Sequence, residues 1–380
     1  MKGITRHAGK CMHMDAPVRY FESAPACATN GLMGESGTRM TREDFLNLVR
    51  SKKVLFVTPS DAEYIRNKQE IAILRKAAKC LDVIAPSNGA TVKPTGLTRI
   101  FLTNWKVIWR NLKKYDVVFV GGIPQLIIPF ISFMLGKKVL VIDFFISIYD
   151  TIVFDRQIVS AKNPVARLLK ILDRSTLSRA DCVVVDTHQH AGYFSRTFGV
   201  CIDKMVVIYL EADNDIYHPR SVSRPEDLKG KFIAFFFGAM NPLQGVDVIL
   251  KAARLLEKYR DIVFVIVGPY EKINNLGRYS RLGNIRFAAR WLPQNEVAEY
   301  IAMSDVCLAG HFNADIPKAS RVIPGKAYSY LAMDKPVILG DNPANRELFS
   351  EGTKDVHFVK MGNPEALAEA ILTIVGVQKG

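Results

Sequence analysis

The stretch Lys318–Ile338, KASRVIPGKAYSYLAMDKPVI, places two cations around a Pro-Gly pair. Pro324-Gly325 is typical of a helix start, and Lys326 follows in the first turn of that helix. An exposed cation at this end of a helix is unfavourable to the helix dipole by about 0.3–1 kcal/mol. A bound diphosphate would offset the cost, because Arg and Lys give it charge-assisted hydrogen bonds of about 1.5–3 kcal/mol each. Arg321 and Lys326 are therefore a candidate anion site; the simpler alternative is two solvated surface cations.

A second anion-binding element is predicted in the loop FFFGAMNPLQGVDVILKAA. A strand ends at Phe237, Gly238 permits a tight turn, and Gly245 precedes a helix with an apolar face. Backbone N–H groups in such a strand-to-helix loop can face an anion. The alternative is that the glycines only serve the turn. The candidate contacts in this loop are Gly238, Asn241, Gln244 and Gly245.

These loops belong to a chain in which short β-rich runs alternate with amphipathic helices, a pattern typical of parallel sheets with helices on both faces. Strands are predicted at 54–57, 81–84, 116–120, 138–144, 181–185, 205–209, 232–237, 262–267, 284–287, 306–309 and 336–339, and helices near 62–79, 98–114, 163–178 and 187–197. HPRSVSRPEDLKGK (218–231) interrupts the series. We therefore predict a poorly ordered N-terminal extension, 1–50, and two Rossmann-like domains, 51–219 and 220–380, with a ligand cleft between them.

The chain has 380 residues and a formal net charge of +14. Residues 1–220 carry 31 cations against 20 acids, so most of the basic excess lies in the first half. Such a bias suits an anionic partner, either nucleic acid, a lipid surface or a phosphorylated substrate. The sequence has no nucleic-acid-binding motif, so we predict no nucleic-acid partner. The six cysteines are scattered without metal-ligand spacing, which predicts no metal site and favours a reducing compartment.

The run from Phe232 to the C-terminus resembles the donor domain of GT-B glycosyltransferases of the large retaining family 4. VFVIVGPYE (263–271), NIRFAARWLPQNEVAEYIAMSDVCLAG (284–310) and GKAYSYLAMDKPVILGDNPANREL (325–348) follow in that family's order and spacing. The first half adds YDVVFVG, KKVLVIDFFISIYDT, SRADCVVVDT and IYLEADNDIYHP, which are similar to acceptor-side strands. The resemblance thus covers about residues 52–376 and rests on the ordered set of motifs.

The resemblance implies a GT-B fold and transfer of a sugar, with retention, from a nucleotide-sugar donor to a glycan or lipid-linked acceptor in polysaccharide or glycoconjugate biosynthesis. The usual mechanism of this fold requires no metal, and no cofactor is implied. It also needs no protein nucleophile, because the donor phosphate itself can assist the acceptor hydroxyl. Arg321, Gly325 and Lys326 would then bind the diphosphate, and Ser329 would contact phosphate or ribose. Asp143, at a strand end, is the candidate catalytic residue on the acceptor side; capping a loop is its alternative role.

The chain departs from the family at its acidic residues. The usual pair of glutamates would fall at Arg321 and Ser329, and the first donor loop has Ala239 and Gln244 where many members carry cations. We interpret the two cations of the opening stretch as replacements for those missing from the first loop. Two other hypotheses stay open: a non-catalytic partner of another glycosyltransferase, and a GT-B sugar-nucleotide epimerase. His311 is a further candidate donor contact, with solvent exposure as its alternative.

A cytoplasmic location is predicted, because the N-terminus lacks a secretory signal and the apolar run Leu126–Leu135 is too short to span a bilayer. The stretch LTRIFLTNWKVIWRNLKKYD (97–116) has an apolar helical face around Trp105 and a basic flank. Such a helix can lie on anionic lipid at the inner face of the membrane, or pack its apolar face on the first sheet. An anionic membrane surface is therefore a further candidate partner.

Overall fold

The computed structural model describes residues 39–86 and 112–379, with side chains up to residue 376. These residues form two six-stranded sheets in which every strand pairs in parallel. The first sheet contains β1 Lys53–Val57, β2 Cys80–Ile84, β3 Val117–Val120, β4 Val139–Asp143, β5 Cys182–Val185 and β6 Met205–Val207. The second contains β7 Phe232–Phe237, β8 Ile262–Val267, β9 Ile285–Ala289, β10 Val306–Leu308, β11 Val337–Gly340 and β12 Val356–Val359.

Helices connect the strands. They are α1 Arg42–Val49, α2 Ile65–Ala77, α3 Ile128–Ile131, α4 Ile148–Asp150, α5 Pro164–Arg179, α6 His188–Phe198, α7 Val246–Leu255, α8 Leu276–Tyr279, α9 Gln294–Met303, α10 Gly325–Ala332, α11 Asn345–Leu348 and α12 Pro364–Lys379. A π-helical turn, Thr151–Asp155, directly follows α4. In the described part of the chain no helix has the length and apolar character needed to cross a membrane.

Both sheets are buried on both faces, which explains their almost continuous hydrophobic sequences. In β1, Leu55 and Val57 join one core while Val54 and Phe56 join the core on the opposite face. The strand Phe232–Phe237 is divided in the same way between two cores of the second sheet. The period of two along each strand therefore places helices on both sides of each sheet.

Each sheet has a point where the strand order reverses. The second sheet runs β12-β11-β10-β7-β8-β9, so the chain starts at β7, proceeds to one edge and returns to place β10 beside β7. The first sheet, β2-β1-β3-β4-β5-β6, reverses between β1 and β3. Loops that leave neighbouring strands at such a point diverge to opposite faces, and ligands of doubly wound sheets bind in the resulting crevice.

The predicted fold class, two doubly wound α/β domains, is confirmed. The predicted strands lie within two residues of the observed ones at each end, and the helices predicted at 163–178 and 187–197 correspond to α5 and α6. The short strand β12 was not predicted. The helix predicted at 98–114, including Trp105, falls almost entirely outside the described residues.

The predicted extension, 1–50, is wrong for its last residues. α1 begins with a capping box between Thr41 and Asp44, and its side chains Phe45 and Val49 are buried in a core of the first sheet. The predicted boundary between residues 219 and 220 falls in the segment 208–225, which has no helix or strand. Apolar residues of this segment, Tyr217 among them, pack against a core of the second sheet.

Candidate functional site

The loops after β7 and β10 meet at the point where the strand order of the second sheet reverses. The Phe312 N–H donates to the Gln244 carbonyl, and the Asn313 side chain donates to the Pro242 carbonyl at 3.0 Å. Gly245 has a φ of 64°, and a Cβ on it would lie 2.6 Å from the Asn313 backbone nitrogen. The close approach of the two loops therefore requires glycine at position 245.

Lys326 lies across this junction. Its side chain leaves the first turn of α10 and its Nζ donates to Gln244 Oε1 at 2.6 Å and to the Ala309 carbonyl at 2.9 Å. Nζ also lies 5.0 Å from the centre of the Phe236 ring, and Gly238 is close enough that a Cβ there would be 3.3 Å from Lys326 Cε. The structure therefore brings together Gly238, Gln244, Gly245 and Lys326 from the predicted set.

The ammonium group of Lys326 has no acidic partner in the described part of the chain. Both acceptors on Nζ are uncharged oxygens, and burial lowers the pKa of Lys326 to about 7. Desolvation disfavours the charged form of a lysine unless an anion compensates it. Because an ammonium group has three donors and two are used, one donor is left for a ligand. Lys326 is thus a partly buried cation that lacks a counter-charge among the described residues.

Arg321 is placed differently. Its terminal nitrogen donates to both carboxylate oxygens of Asp150, at 2.7 and 3.0 Å, and its guanidinium carbon lies 3.7 Å from the centre of the Tyr193 ring. Tyr193 in turn donates to Asp150 at 3.0 Å. Asp150 and Tyr193 belong to α4 and α6 of the first domain, so the pair joins the two domains. The positive charge of Arg321 is therefore compensated within the protein.

The prediction that Arg321 and Lys326 form one pair of diphosphate cations does not agree with this geometry. Lys326 carries an uncompensated charge, whereas Arg321 is bound to a carboxylate that is 1% exposed. A diphosphate could reach Arg321 only in competition with Asp150. Of these two candidate cations, Lys326 is thus without an acidic partner among the described residues, and Arg321 forms a contact between domains.

Three other predicted residues lie around this junction. Asn241 precedes the short 3-10 turn Pro242–Gln244, and its carbonyl accepts from the Gln244 N–H. Gly325 is exposed at the start of α10, where a Cβ would lie 3.2 Å from Leu210. Ser329 is buried beside the Tyr217 hydroxyl. The predicted contact of Ser329 with phosphate or ribose would require Tyr217 to move.

Asp143, the predicted catalytic residue, is completely buried at the end of β4. Arg66 of α2 donates to its Oδ1 at 3.1 Å and also lies 3.2 Å from Glu70, while its other terminal nitrogen donates to the Ile208 carbonyl. Burial, followed by the charge of Asp143, raises the pKa of Glu70 well above its usual range. Asp143 is therefore an internal counter-charge of Arg66 and does not face an open cleft, which corrects the predicted role.

Asp186, which sequence reasoning missed, has better access. It directly follows β5, its side chain is 20% exposed, and its carboxylate lies 2.7 Å from Nδ1 of the buried His190. Burial opposes ionisation here, but the interaction with His190 lowers the pKa of Asp186. The available signal was its position: Asp186 is the single residue between the strand predicted at 181–185 and the helix predicted at 187–197, at the carboxyl end of that strand.

His311 is buried, whereas the sequence alternative placed it in solvent. Its backbone has a left-handed φ of 59°, and its Nδ1 has no hydrogen-bond partner in the described part of the chain. Burial, together with the positive charge of Lys326, lowers the pKa of His311 to about 3. This imidazole is neutral at physiological pH, so it can only act as a hydrogen-bonding group.

Glu347 of α11 makes a second contact between the domains. Its carboxylate accepts from the backbone N–H groups of His188 and Gln189, at 2.8 and 2.7 Å, and from the Tyr209 hydroxyl at 3.1 Å. His188 and Gln189 open α6, so a carboxylate from the second domain satisfies donors at the N-terminus of a first-domain helix. The Thr187 hydroxyl also donates to the Arg321 carbonyl at 2.5 Å.

Residues 231–376 match the family model described as "Glycosyl transferases group 1". The second half of the chain is thus similar to group 1 glycosyltransferase domains. The match begins one residue before β7 and ends within α12, so it contains the junction around Lys326. The recognition made from sequence motifs is therefore confirmed at the level of this family.

One curated protein and several solved structures are similar to larger parts of the chain. The probable glycosyltransferase WbjE of Pseudomonas aeruginosa is 27% identical over 275 residues, which are 66% of this chain and 64% of that protein. The chain thus spans less than two thirds of that relative. HepE of Anabaena, crystallised with UDP, has a TM-score of 0.57 at 16% identity and covers 86% of this chain and 91% of its own. Sucrose-phosphate synthase of Thermosynechococcus elongatus has a TM-score of 0.62 at 13% identity, covering 85% and 90%. These structures establish the GT-B fold.

The ion pair between Arg321 and Asp150 should contribute to stability. We expect Arg321→Ala to lower the free energy of unfolding by about 3 kcal/mol, because it leaves the buried Asp150 without a counter-charge. Asp150→Asn in the same chain should recover part of that loss, giving a coupling energy of about 1–3 kcal/mol in a double-mutant cycle. Denaturant unfolding of the four proteins measures it. Additive losses would show that the pair does not hold the domains together.

Proposed function

We propose that the protein is a glycosyltransferase that moves a sugar from a nucleotide-sugar donor to a glycan or lipid-linked acceptor with retention of anomeric configuration. The observation that carries this proposal is Lys326, a partly buried cation for which the described residues supply no counter-charge. It lies at the switch point of a region that matches the group 1 glycosyltransferase model. The diphosphate of a nucleotide sugar supplies the missing negative charge. Biosynthesis of a polysaccharide or glycoconjugate is the corresponding role.

The proposed chemistry needs stabilisation of the leaving diphosphate more than it needs a protein nucleophile. As the sugar leaves, negative charge accumulates on the phosphate oxygens, and a fixed cation in a site of low dielectric stabilises that charge. Lys326 is held by Gln244 and the Ala309 carbonyl, so it needs little reorganisation. The neutral His311, buried nearby, is a candidate contact for the donor sugar.

The acceptor would approach from the first domain. Asp186 replaces Asp143 in this role, because its carboxylate is partly exposed whereas Asp143 is enclosed with Arg66. The donor phosphate would still assist the acceptor hydroxyl, with Asp186 and His190 orienting that hydroxyl. Thr58, Ser60 and Asn67 form a further hydrogen-bonded cluster at the switch point of the first sheet, where polar groups suit a sugar.

A non-catalytic partner of another glycosyltransferase is the second candidate. The observation that favours it is Arg321, which stands at the position of a usual glutamate and holds the domains together through Asp150. In that case the diphosphate site would survive as a binding site only.

A panel of nucleotide sugars separates the two candidates. We expect one or more of them to raise the unfolding temperature, since a ligand at 100 times its Kd stabilises the native state by about 2.7 kcal/mol. With glycan or lipid-linked acceptors, the product's new bond should have the donor's anomeric configuration by NMR. Tight binding of the nucleotide diphosphate with no turnover on any acceptor would instead support the partner role, and an inverted product would refute retention.

Lys326→Met should weaken binding of the nucleotide diphosphate by about 1.5–3 kcal/mol, or roughly 10- to 150-fold, because it removes a charge-assisted hydrogen bond. Isothermal titration calorimetry measures the loss. Lys335→Met is the matched control, because Lys335 lies just beyond the other end of α10 and, like Lys326, donates to two uncharged oxygens in the described structure. Equal losses in both variants would mean that the helix, not the charge, determines affinity.

Binding should also be linked to protons. In the free protein the pKa of Lys326 is lowered to about 7, and a bound diphosphate should raise it again. At pH 8 the lysine is then mostly neutral before binding and charged afterwards, so binding takes up a proton and the affinity falls as the pH rises above 7. Calorimetry at pH 8 in buffers of different ionisation enthalpy counts that proton. The same uptake in Lys326→Met would assign the proton to another group.

A further inference from the structure

The outer face of α5 is apolar, which is unusual for a surface helix. Val165, Leu168 and Ile171 are 47%, 65% and 53% exposed, and they lie three residues apart on one side of the helix. Ile158, in the segment that leads into α5, is 68% exposed. A row of large aliphatic side chains in water is the mark of an interaction surface.

Cations alternate with these aliphatic residues. Lys162, Arg167, Lys170 and Arg174 are all exposed, and none of them forms an ion pair within the described residues. The single acid in the segment 156–179 is Asp173, which is buried and accepts hydrogen bonds from Gln125 and the Ser147 hydroxyl. The exposed face of α5 therefore carries positive charge and apolar surface but no negative charge.

Three of these cations line a pocket. It has a volume of about 430 Å³ and is bounded by Tyr149, Ala161, Lys162, Asn163, Pro164, Arg167 and Lys170. The Lys170 ammonium lies 5.9 Å from the centre of the Tyr149 ring. No carboxylate lines the pocket, so an anion would meet three cations there without repulsion from a neighbouring acid.

We propose that this face of α5 docks on an anionic membrane surface, with a lipid headgroup phosphate in the pocket of Lys162, Arg167 and Lys170. A phosphate matches the cations, and the acyl region just below the headgroups matches Leu168 and Ile171. Helices with this mixture of exposed aliphatic and basic residues lie in the interface of a bilayer. A partner protein would have to offer apolar and acidic groups in alternation to fit the same face.

The docking face is connected to the domain contact. Tyr149 lines the pocket, and the next residue, Asp150, binds Arg321 of the second domain. Docking through α5 would therefore place the first-domain side of the site near the membrane. This inference stands apart from the proposed nucleotide site, since none of its residues contacts Lys326 or Gln244.

Vesicle sedimentation tests the proposal with the full chain. Wild-type protein should bind vesicles of phosphatidylcholine and phosphatidylglycerol but not vesicles of phosphatidylcholine alone. Lys162→Gln, Arg167→Gln and Lys170→Gln together should lower the partition coefficient about 100-fold, since each cation near an anionic surface contributes about five-fold. Leu168→Ser with Ile171→Ser should lower it about ten-fold or more without any change in charge.

The matched control is Arg254→Gln, Lys258→Gln and Arg281→Gln, which removes the same charge from exposed positions of the second domain. It should keep most of the binding, and unfolding temperatures should confirm that all variants are folded. Equal losses in the control, or wild-type binding by the Leu168 and Ile171 variant, would overturn a specific docking face. Displacement of the protein by inorganic phosphate at constant ionic strength would also overturn it, in favour of a site for small phosphates.

Discussion

The site depends on a partly buried ammonium group that has no negative partner among the residues that the structure describes. Lys326 reaches across the carboxyl ends of β7 and β10 and is held there by an amide oxygen and a backbone carbonyl. This arrangement costs free energy in the absence of ligand, because those dipoles replace only part of the lost hydration. Two neighbouring features fit this arrangement. Gly245 lets the loop that contains Gln244 pass close to the loop after β10. The His311 imidazole is neutral, so it adds no second positive charge beside Lys326.

Much of this architecture could be predicted from local sequence. The runs Phe232–Phe237 and Ile262–Val267 are long, apolar and bounded by glycine or charge, so both strand positions are correct to the residue. The strand Val356–Val359 was missed because it is short and half of its residues are only partly buried. α1 was missed because a leader of Gly, Ala, Met and Thr precedes it, although Thr41 and Asp44 carry a capping-box signal.

The partners of the charged residues could not be read from the sequence. Arg321 and Asp150 are 171 positions apart, and the stretch KASRVIPGKAYSYLAMDKPVI gives no sign that the charge of Arg321 is neutralised. The buried ion pair of Asp143 could not be predicted for the same reason, since its counter-ion Arg66 lies 77 positions away on α2. The predicted strand ends place polar residues at the correct edge of the sheet. Whether each of these side chains is exposed to solvent depends on which other element packs over it. Asp186 is partly exposed, whereas Asp143 is completely buried.

The contact of Glu347 with the start of α6 has a consequence for motion. Its carboxylate satisfies two backbone donors of a helix that belongs to the other domain. A small rotation cannot stretch those hydrogen bonds gradually, because their energy falls steeply with distance and angle. Separation of the domains requires water to replace both partners of Glu347 as well as those of Asp150. We therefore expect the two domains to separate in one cooperative step, with few intermediate angles between them. The cleft would then open by joint loss of these contacts and not by gradual hinge bending.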